Sequence, residues 1–297
     1  MNARGASSAR LTDWFSLVRF SHSIFALPFA LCGAWLAAGG VPATRTLALI
    51  VACAVLARTA AMGFNRLVDR RIDAENPRTR GREIPAGRLS PLAVGTLVAV
   101  CSAAFVGASF ALHALAGWLS FPVLGVLFVY SWMKRFSFLA HVVLGVALAL
   151  APLGAWIAVR GSFQGDLEPV LWLALAVTTW VAGFDLIYAC QDADFDARAG
   201  LHSIPARFGI ANALRLSSVL HVVTVGSLVA VGLSADLSWI WWGALAAAAA
   251  LLVWEHSIVS AEDLSRVDVA FFTINGWVGV GLFLGLALDR AWLVGSG

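Results

Sequence analysis

Apolar stretches of about 20 residues, the length a helix needs to cross a bilayer, recur along the whole 297-residue chain. Nine are recognisable, at roughly 23–40, 45–64, 91–112, 115–132, 137–159, 169–191, 209–233, 238–255 and 268–288. The mean hydropathy is +0.85 and charged residues make up only 12%, roughly half the share of a soluble domain. Such a chain cannot hide its apolar side chains in a soluble core. The runs lack the alternation of barrel strands, so the expected fold is all-α: an integral membrane bundle of nine transmembrane helices. Pro28, Pro122 and Pro152 lie in or near spans, where membrane bundles tolerate kinks. The polar N-terminus and long first apolar run do not read as a cleavable signal peptide. Cys32, Cys53, Cys101 and Cys190 sit in apolar stretches without metal-ligand spacing and read as packing residues. The bilayer is the partner expected from this composition; no nucleic acid is.

Charge sets the orientation. With the N-terminus in the cytoplasm, sixteen of the 20 Lys and Arg fall on the inner side. Only Arg45, Arg160 and Arg290 fall outside, and Arg58 lies within a span. The positive-inside rule then predicts an odd number of spans, N-terminus in and C-terminus out.

An internal echo divides the chain. Gly63-Phe64-Asn65 leads to Ile84-Pro85-Ala86, and Gly183-Phe184-Asp185 leads to Ile204-Pro205-Ala206 at the same spacing. The two copies follow the second and sixth spans. This reads as one domain, 1–297, of two four-helix pseudo-repeats (about 23–135 and 137–255) plus a final helix at about 268–288.

The polar chemistry is concentrated in these copies. Between Gly63 and Ser90 stand seven Arg and four Asp or Glu. Asn65, Asp69 and Asp73 recur every fourth residue, so they line one helical face. In the second copy Asp192 and Asp196 share a face, Asp185 lies nearly two turns earlier on it, and Asp194 points elsewhere. Two acidic faces thus leave the same side of the membrane. Clustered carboxylates need cations to stay ionised. Oxygen ligands suit Mg²⁺, which takes one or two carboxylates together with substrate phosphate oxygens. Arg78, Arg82, Lys134 and Arg207 can hold the same phosphates, and His202 stands in the second loop as a further candidate.

These residues carry a resemblance. Asn65-Arg-Leu-Val-Asp69-Arg-Arg-Ile-Asp73, with Arg78, Arg82 and Ile84-Pro85, resembles the first motif of the UbiA superfamily of intramembrane prenyltransferases. Asp185-Leu-Ile-Tyr188 through Asp196 resembles its second motif, and Tyr130 to Lys134 its tyrosine-to-lysine element. Where many members begin the first motif Asn-Asp, this chain has Asn65-Arg66. The resemblance implies a nine-helix bundle whose central cavity opens to the cytoplasm and the lipid. It also implies a polyprenyl diphosphate bound through Mg²⁺ and both Asp motifs, with Asn65, Asp69, Asp73, Asp192 and Asp196 as the metal set. Arg19-Phe-Ser-His-Ser23 and Ile187-Tyr-Ala-Cys-Gln191 are most similar to the 4-hydroxybenzoate polyprenyltransferase-like branch, which also includes enzymes acting on 1,4-dihydroxy-6-naphthoate in menaquinone synthesis.

The expected activity is polyprenyl transfer to a hydroxy-aromatic acid, 4-hydroxybenzoate first and dihydroxynaphthoate second. Asp185 is a candidate for acceptor positioning or proton removal, with an indirect metal role as the alternative. Arg58, on nearly the same face as Asn65, reads as the cation for an acceptor carboxylate or as a structural ion pair, since a bare charge at bilayer centre costs about 2.5–3.5 kcal/mol; Arg19 is the other candidate. Tyr130 orients Lys134 or a diphosphate oxygen, or is simply interfacial. Asn275 reads as an interhelical hydrogen bond. An ion-coupled transporter also buries Asp between repeats, but has no need of arginines beside both acidic faces. A CDP-alcohol phosphotransferase would show an Asp-Gly, Ala-Arg pattern that is not found.

Overall fold

In a bilayer every backbone amide must be bonded within its own segment, and the chain meets this with helices. The computed structural model describes residues 10–18 and 25–296, with no strand among them. A short helix, α1 (Leu11–Val18), precedes α2 (Leu27–Ala38), α3 (Thr44–Glu75), α4 (Pro91–Leu112), α5 (Ala114–Met133) and α6 (Ala140–Arg160). Then come α7 (Glu168–Ala189), a 3₁₀ turn Cys190–Asp192, α8 (Ala193–Arg198), α9 (Ile204–Phe208), α10 (Ile210–Ser234) and α11 (Trp239–Ser257). A π turn, Val269–Ile274, leads into α12 (Asn275–Ser296).

Among the described residues, seven helical segments are long and apolar enough to cross a membrane: α3, α4, α5, α6, the unit Glu168–Arg198, α10 and Val269–Leu293. Seven of the nine expected spans are matched by length and apolarity. The other two stretches are helical where expected but fall short. α2 has 12 residues, beginning where Pro28 occupies the first turn, a position whose amide needs no partner. α11 has 19 residues, rich in Ala and Trp rather than Leu and Val. Arg4, Arg19, His22 and the Arg19–Ser23 phrase lie outside the described residues.

The long helices form a ring in chain order: α3 packs on α4, α4 on α5, α5 on α6, α6 on α7, α7 on α10, α10 on α11, and α11 on α12. α2 closes it, touching α12 on one side and α3 on the other while leaning on α6 and α7. Close approach depends on small residues, as expected where lipid offers no hydrophobic drive between helices. A Cβ on Gly33 would collide with the Pro152 carbonyl of α6, and one on Gly145 with the Thr178 carbonyl of α7. Pro122 and Pro152 lie inside α5 and α6.

The π turn has a visible cause. Asn275 donates from Nδ2 to the Ala270 carbonyl at 3.0 Å and to Glu255 Oε1 at 2.6 Å, while its Oδ1 accepts from Trp180 Nε1 at 2.6 Å. One side chain thus fills a widened turn and ties α12 to α7 and α11, as the sequence reading of Asn275 anticipated. The turn aims Phe271 at Tyr188, with ring centroids 4.2 Å apart.

Two buried backbones meet at Gly145. Gly145→Val should lower stability by about 1–3 kcal/mol or more, read as a lower melting temperature of the detergent-solubilised protein. Gly226→Ala, with open space at its Cβ position, should not.

Candidate active site

α3 runs unbroken to Glu75, so Asn65, Asp69 and Asp73 do share one face. Asn65 Nδ2 donates to Asp69 Oδ2 at 3.0 Å, and Asp73 is buried. On the other side α7 gives way to the 3₁₀ turn and α8, yet Asp192 and Asp196 both remain buried while Asp194 is exposed. The two segments meet at a polar chamber of about 160 Å³, lined by all four of these Asp together with Asn65, Arg78, Arg82 and Lys134.

Each of Asp69, Asp73, Asp192 and Asp196 has its own base. Arg78 forks onto Asp192, its Nε donating to Oδ1 at 2.8 Å and its Nη2 to Oδ2, while its Nη1 donates to the Tyr188 hydroxyl at 2.8 Å. Burial works against the Arg78 charge, but the Asp192 hydrogen bonds and charge outweigh it and hold the guanidinium above its ordinary pKa. Arg82 Nη1 donates to Asp73 Oδ1 at 2.6 Å, and Arg135 Nη2 to Asp69 Oδ1 at 3.0 Å. Lys134 Nζ stands 4.0 Å from Asp196 Oδ2. Asn76 Nδ2 donates to Asp192 Oδ1 at 3.1 Å, joining the end of α3 to the end of α7. α1 braces the loop that carries these arginines: Ser16 Oγ donates to Glu83 at 2.5 Å, and Arg88 pairs with Asp13 at 3.0 Å.

Toward the membrane interior lies a second cavity of about 330 Å³, lined mostly by apolar side chains such as Phe25, Phe105, Leu119, Leu148, Phe184 and Phe271. Arg58 lines it, two turns deeper along α3 than Asn65, and its Nε is buried without a hydrogen-bond partner among the described residues. Among the described residues, five border both spaces: Asn65, Arg82, Tyr130, Asp185 and Tyr188. They form a lip between a charged chamber and an apolar one.

Two expected phosphate-binding residues lie elsewhere. His202 is exposed; its backbone amide donates to the Lys134 carbonyl at 2.7 Å. Arg207 is exposed too, its guanidinium carbon 5.1 Å from the Phe138 ring and 5.4 Å from that of Phe208. Neither borders the chamber, because Ser203 caps α9 and Pro205 starts it, turning the chain away. Arg135, Asn76 and His141 were not anticipated. Arg135 follows Lys134, and Asn76 lies three residues past Asp73 on the same face, so both carried a faint signal. His141, whose Nδ1 lies 2.6 Å from Asp185 Oδ2, carried none.

The arrangement defines a class: a membrane-embedded helical enzyme that brings a polyanion in a charged chamber against an apolar compound in an adjoining one. Comparison with known proteins is specific. Residues 26–277 match the UbiA prenyltransferase family, and the chain belongs to that family. It is 33% identical over 286 residues to the 4-hydroxybenzoate octaprenyltransferase of Pseudomonas aeruginosa (strain LESB58), covering 95% of each chain. The Ectopseudomonas mendocina (strain ymp) protein of the same name is also 33% identical, over 291 residues. Among solved structures, a UbiA homolog from Aeropyrum pernix K1 superposes with a TM-score of 0.82 at 33% identity, over 90% of this chain and 98% of that one. A UbiA homolog from Archaeoglobus fulgidus, bound to DMAPP and Mg²⁺, shares the fold with a TM-score of 0.71 at 17% identity, over 93% of this chain and 99% of that one. Family membership sets the transporter and phosphotransferase readings aside.

The geometry separates two arginines that sequence placed together. Arg78→Ala should cut turnover about ten- to a hundredfold, the value of a charge-assisted bond. Arg207→Ala should leave it within about twofold, as for a surface residue; initial rates of the purified variants decide.

Proposed function

We propose that this enzyme transfers a polyprenyl group from polyprenyl diphosphate to a ring carbon of 4-hydroxybenzoate, releasing diphosphate, in ubiquinone biosynthesis. The observation that carries this reading is the lip of five residues between the two chambers. A diphosphate lying among the bases would leave its first prenyl carbon at the lip, facing an acceptor in the apolar space. The Pseudomonas relatives bear the name of that activity, and Archaeoglobus homologs were solved with DMAPP or GPP and Mg²⁺.

A divalent cation fits the donor set. Asp73 Oδ2 and Asp196 Oδ2 are buried without hydrogen-bond partners among the described residues, and the candidate ligands Asn65, Asp69, Asp73, Asp192 and Asp196 offer only oxygen, apart from the Asn65 amide nitrogen. No three His, Cys, Asp or Glu side chains form a ready cage among the described residues. That suits Mg²⁺, which completes its shell with substrate phosphate oxygens. When bound, Mg²⁺ neutralises charge that builds on the leaving diphosphate. Arg78, Arg82 and Lys134 hold the same oxygens, exchanging their carboxylate partners for phosphate. Tyr130 and Tyr188 border the point where the carbon–oxygen bond breaks. The apolar walls keep water from the allylic cation, which would otherwise end as an alcohol. Arg58 holds the acceptor carboxylate away from the diphosphate bases, and Asp185 at the lip takes the proton of the acceptor hydroxyl.

We further read the 65–90 and 192–208 loops as cytoplasmic, in a bacterial inner membrane, with two four-helix halves and a last helix in one domain. Single cysteines replacing exposed Arg80 and Ala199 in a cysteine-free background should resist impermeant reagents added outside intact cells; labelling of either reverses the topology.

Membranes containing the enzyme, given a polyprenyl diphosphate with 4-hydroxybenzoate and 1,4-dihydroxy-6-naphthoate in competition, should yield prenylated 4-hydroxybenzoate by mass spectrometry. EDTA should stop it, and Asp192→Asn should remove it without unfolding the protein. A naphthoate product alone would reassign the acceptor. Arg58→Gln should raise the acceptor KM about ten- to a hundredfold with little change in that for the prenyl diphosphate; an equal rise in both would move Arg58 to the diphosphate side.

A further inference from the structure

The one acidic side chain at the lip without a basic chamber partner is held instead by a histidine. His141, in the first turn of α6, is fully buried, and its Nδ1 lies 2.6 Å from Asp185 Oδ2. A carboxylate can only accept, so the ring proton sits on Nδ1. The opposite nitrogen, Nε2, is buried with no hydrogen-bond partner among the described residues. Among the described residues the imidazole therefore has a single polar contact, Asp185. Burying a polar ring with one nitrogen unsatisfied costs free energy, and a packing role alone would be met at lower cost by an apolar side chain. Asp185, in contrast, stays partly open and borders both chambers.

We propose that His141 is a positioning residue: its Nδ1–H pins Asp185 Oδ2, so that Oδ1 faces the acceptor hydroxyl as the base of the transfer. This rests on the acceptor reading above. Oδ1 takes the hydroxyl proton as the ring attacks. The prenyl carbon–oxygen bond breaks to release diphosphate, and a carbon–carbon bond forms beside the ring oxygen. The hydrogen on that ring carbon then leaves as a proton to the diphosphate side, and Asp185 returns its own to the oxygen, restoring the phenol. His141 gives up no proton; it fixes one rotamer of Asp185 and spreads the carboxylate's charge. A structural histidine would support the fold irrespective of Asp185, whereas this one acts only through it.

The test is a double-mutant cycle on the purified full-length enzyme with a polyprenyl diphosphate and 4-hydroxybenzoate, scored by product mass spectrometry. His141→Leu should lower kcat about ten- to a hundredfold, the worth of a hydrogen bond to a charged group. The KM of the prenyl diphosphate should stay within about twofold, as for an interaction absent from that site. His141→Asn, which keeps an N–H donor near the Nδ1 position, should recover most of the loss. In an Asp185→Asn background, His141→Leu should cost nothing more. Additive losses, an Asn variant no better than Leu, or a Leu variant as fast as the wild type would each overturn the assignment. If the Leu variant does not purify as a folded protein, His141→Phe takes its place in the cycle and is read the same way. A wild-type enzyme that prenylates no hydroxy-aromatic acid overturns both this and the acceptor reading; a working wild type with additive losses overturns only the role of His141.

Discussion

Four carboxylates gathered at the end of a membrane bundle can persist only if each finds a cation, and this constraint organises the molecule. Arg78 answers Asp192, Arg82 answers Asp73, Arg135 answers Asp69, and Lys134 stands by Asp196. Partly buried pairs of this kind do little for stability once their desolvation is counted. Their value is that they assemble bases and acids around one vacant volume. The loop after α3 must fold back for Arg78 and Arg82 to reach their partners, and α1 lies across that loop through Asp13 and Ser16. Substrate would then meet a chamber whose charges are already desolvated and aimed, so that binding trades one set of ionic partners for another.

Much of this was legible from the sequence wherever the information was local. The face of Asn65, Asp69 and Asp73 followed from their spacing because α3 continues to Glu75 without interruption. Asp192 and Asp196 were legible although a 3₁₀ turn precedes α8, since both remain on the inward side. The number of spans was less secure: α2 and α11 are helices at the expected positions, but neither has the combined length and apolarity of the other seven segments. His202 and Arg207 were misplaced because nearness to a motif in sequence says nothing about direction, and Ser203 and Pro205 turn the chain just there. What could not be read were partnerships across long intervals. Asn76 meets Asp192, Arg135 meets Asp69 and His141 meets Asp185 at separations of 116, 66 and 44 residues. Only packing reveals such pairs.

The network around Asn275 shows how an irregular turn is tolerated at membrane depth. Asn275 Nδ2 donates to the Ala270 carbonyl of that turn from within the same segment. The same side chain bonds Glu255 and Trp180, so the irregularity and the helix contacts are one feature. Phe271, on that turn, lies against Tyr188, whose hydroxyl receives Arg78. The wall of the apolar cavity is thereby continuous with the floor of the charged one.

The order of helices around the ring also bears on how the protein is made. Around the perimeter, neighbours in space are neighbours in the chain, except where α12 meets α2. Each new helix emerging from the ribosome can dock on the one before it, a short-range search that closes small loops at low entropic cost. The seam between α2 and α12 is different. It joins segments more than 200 residues apart and cannot form until synthesis is nearly over. The apolar cavity does not wait for that seam: its walls come from α2 to α7 and the loops beside them, with Phe271 of the π turn added later. Most of the dry compartment can therefore assemble while the last third of the chain is still being made.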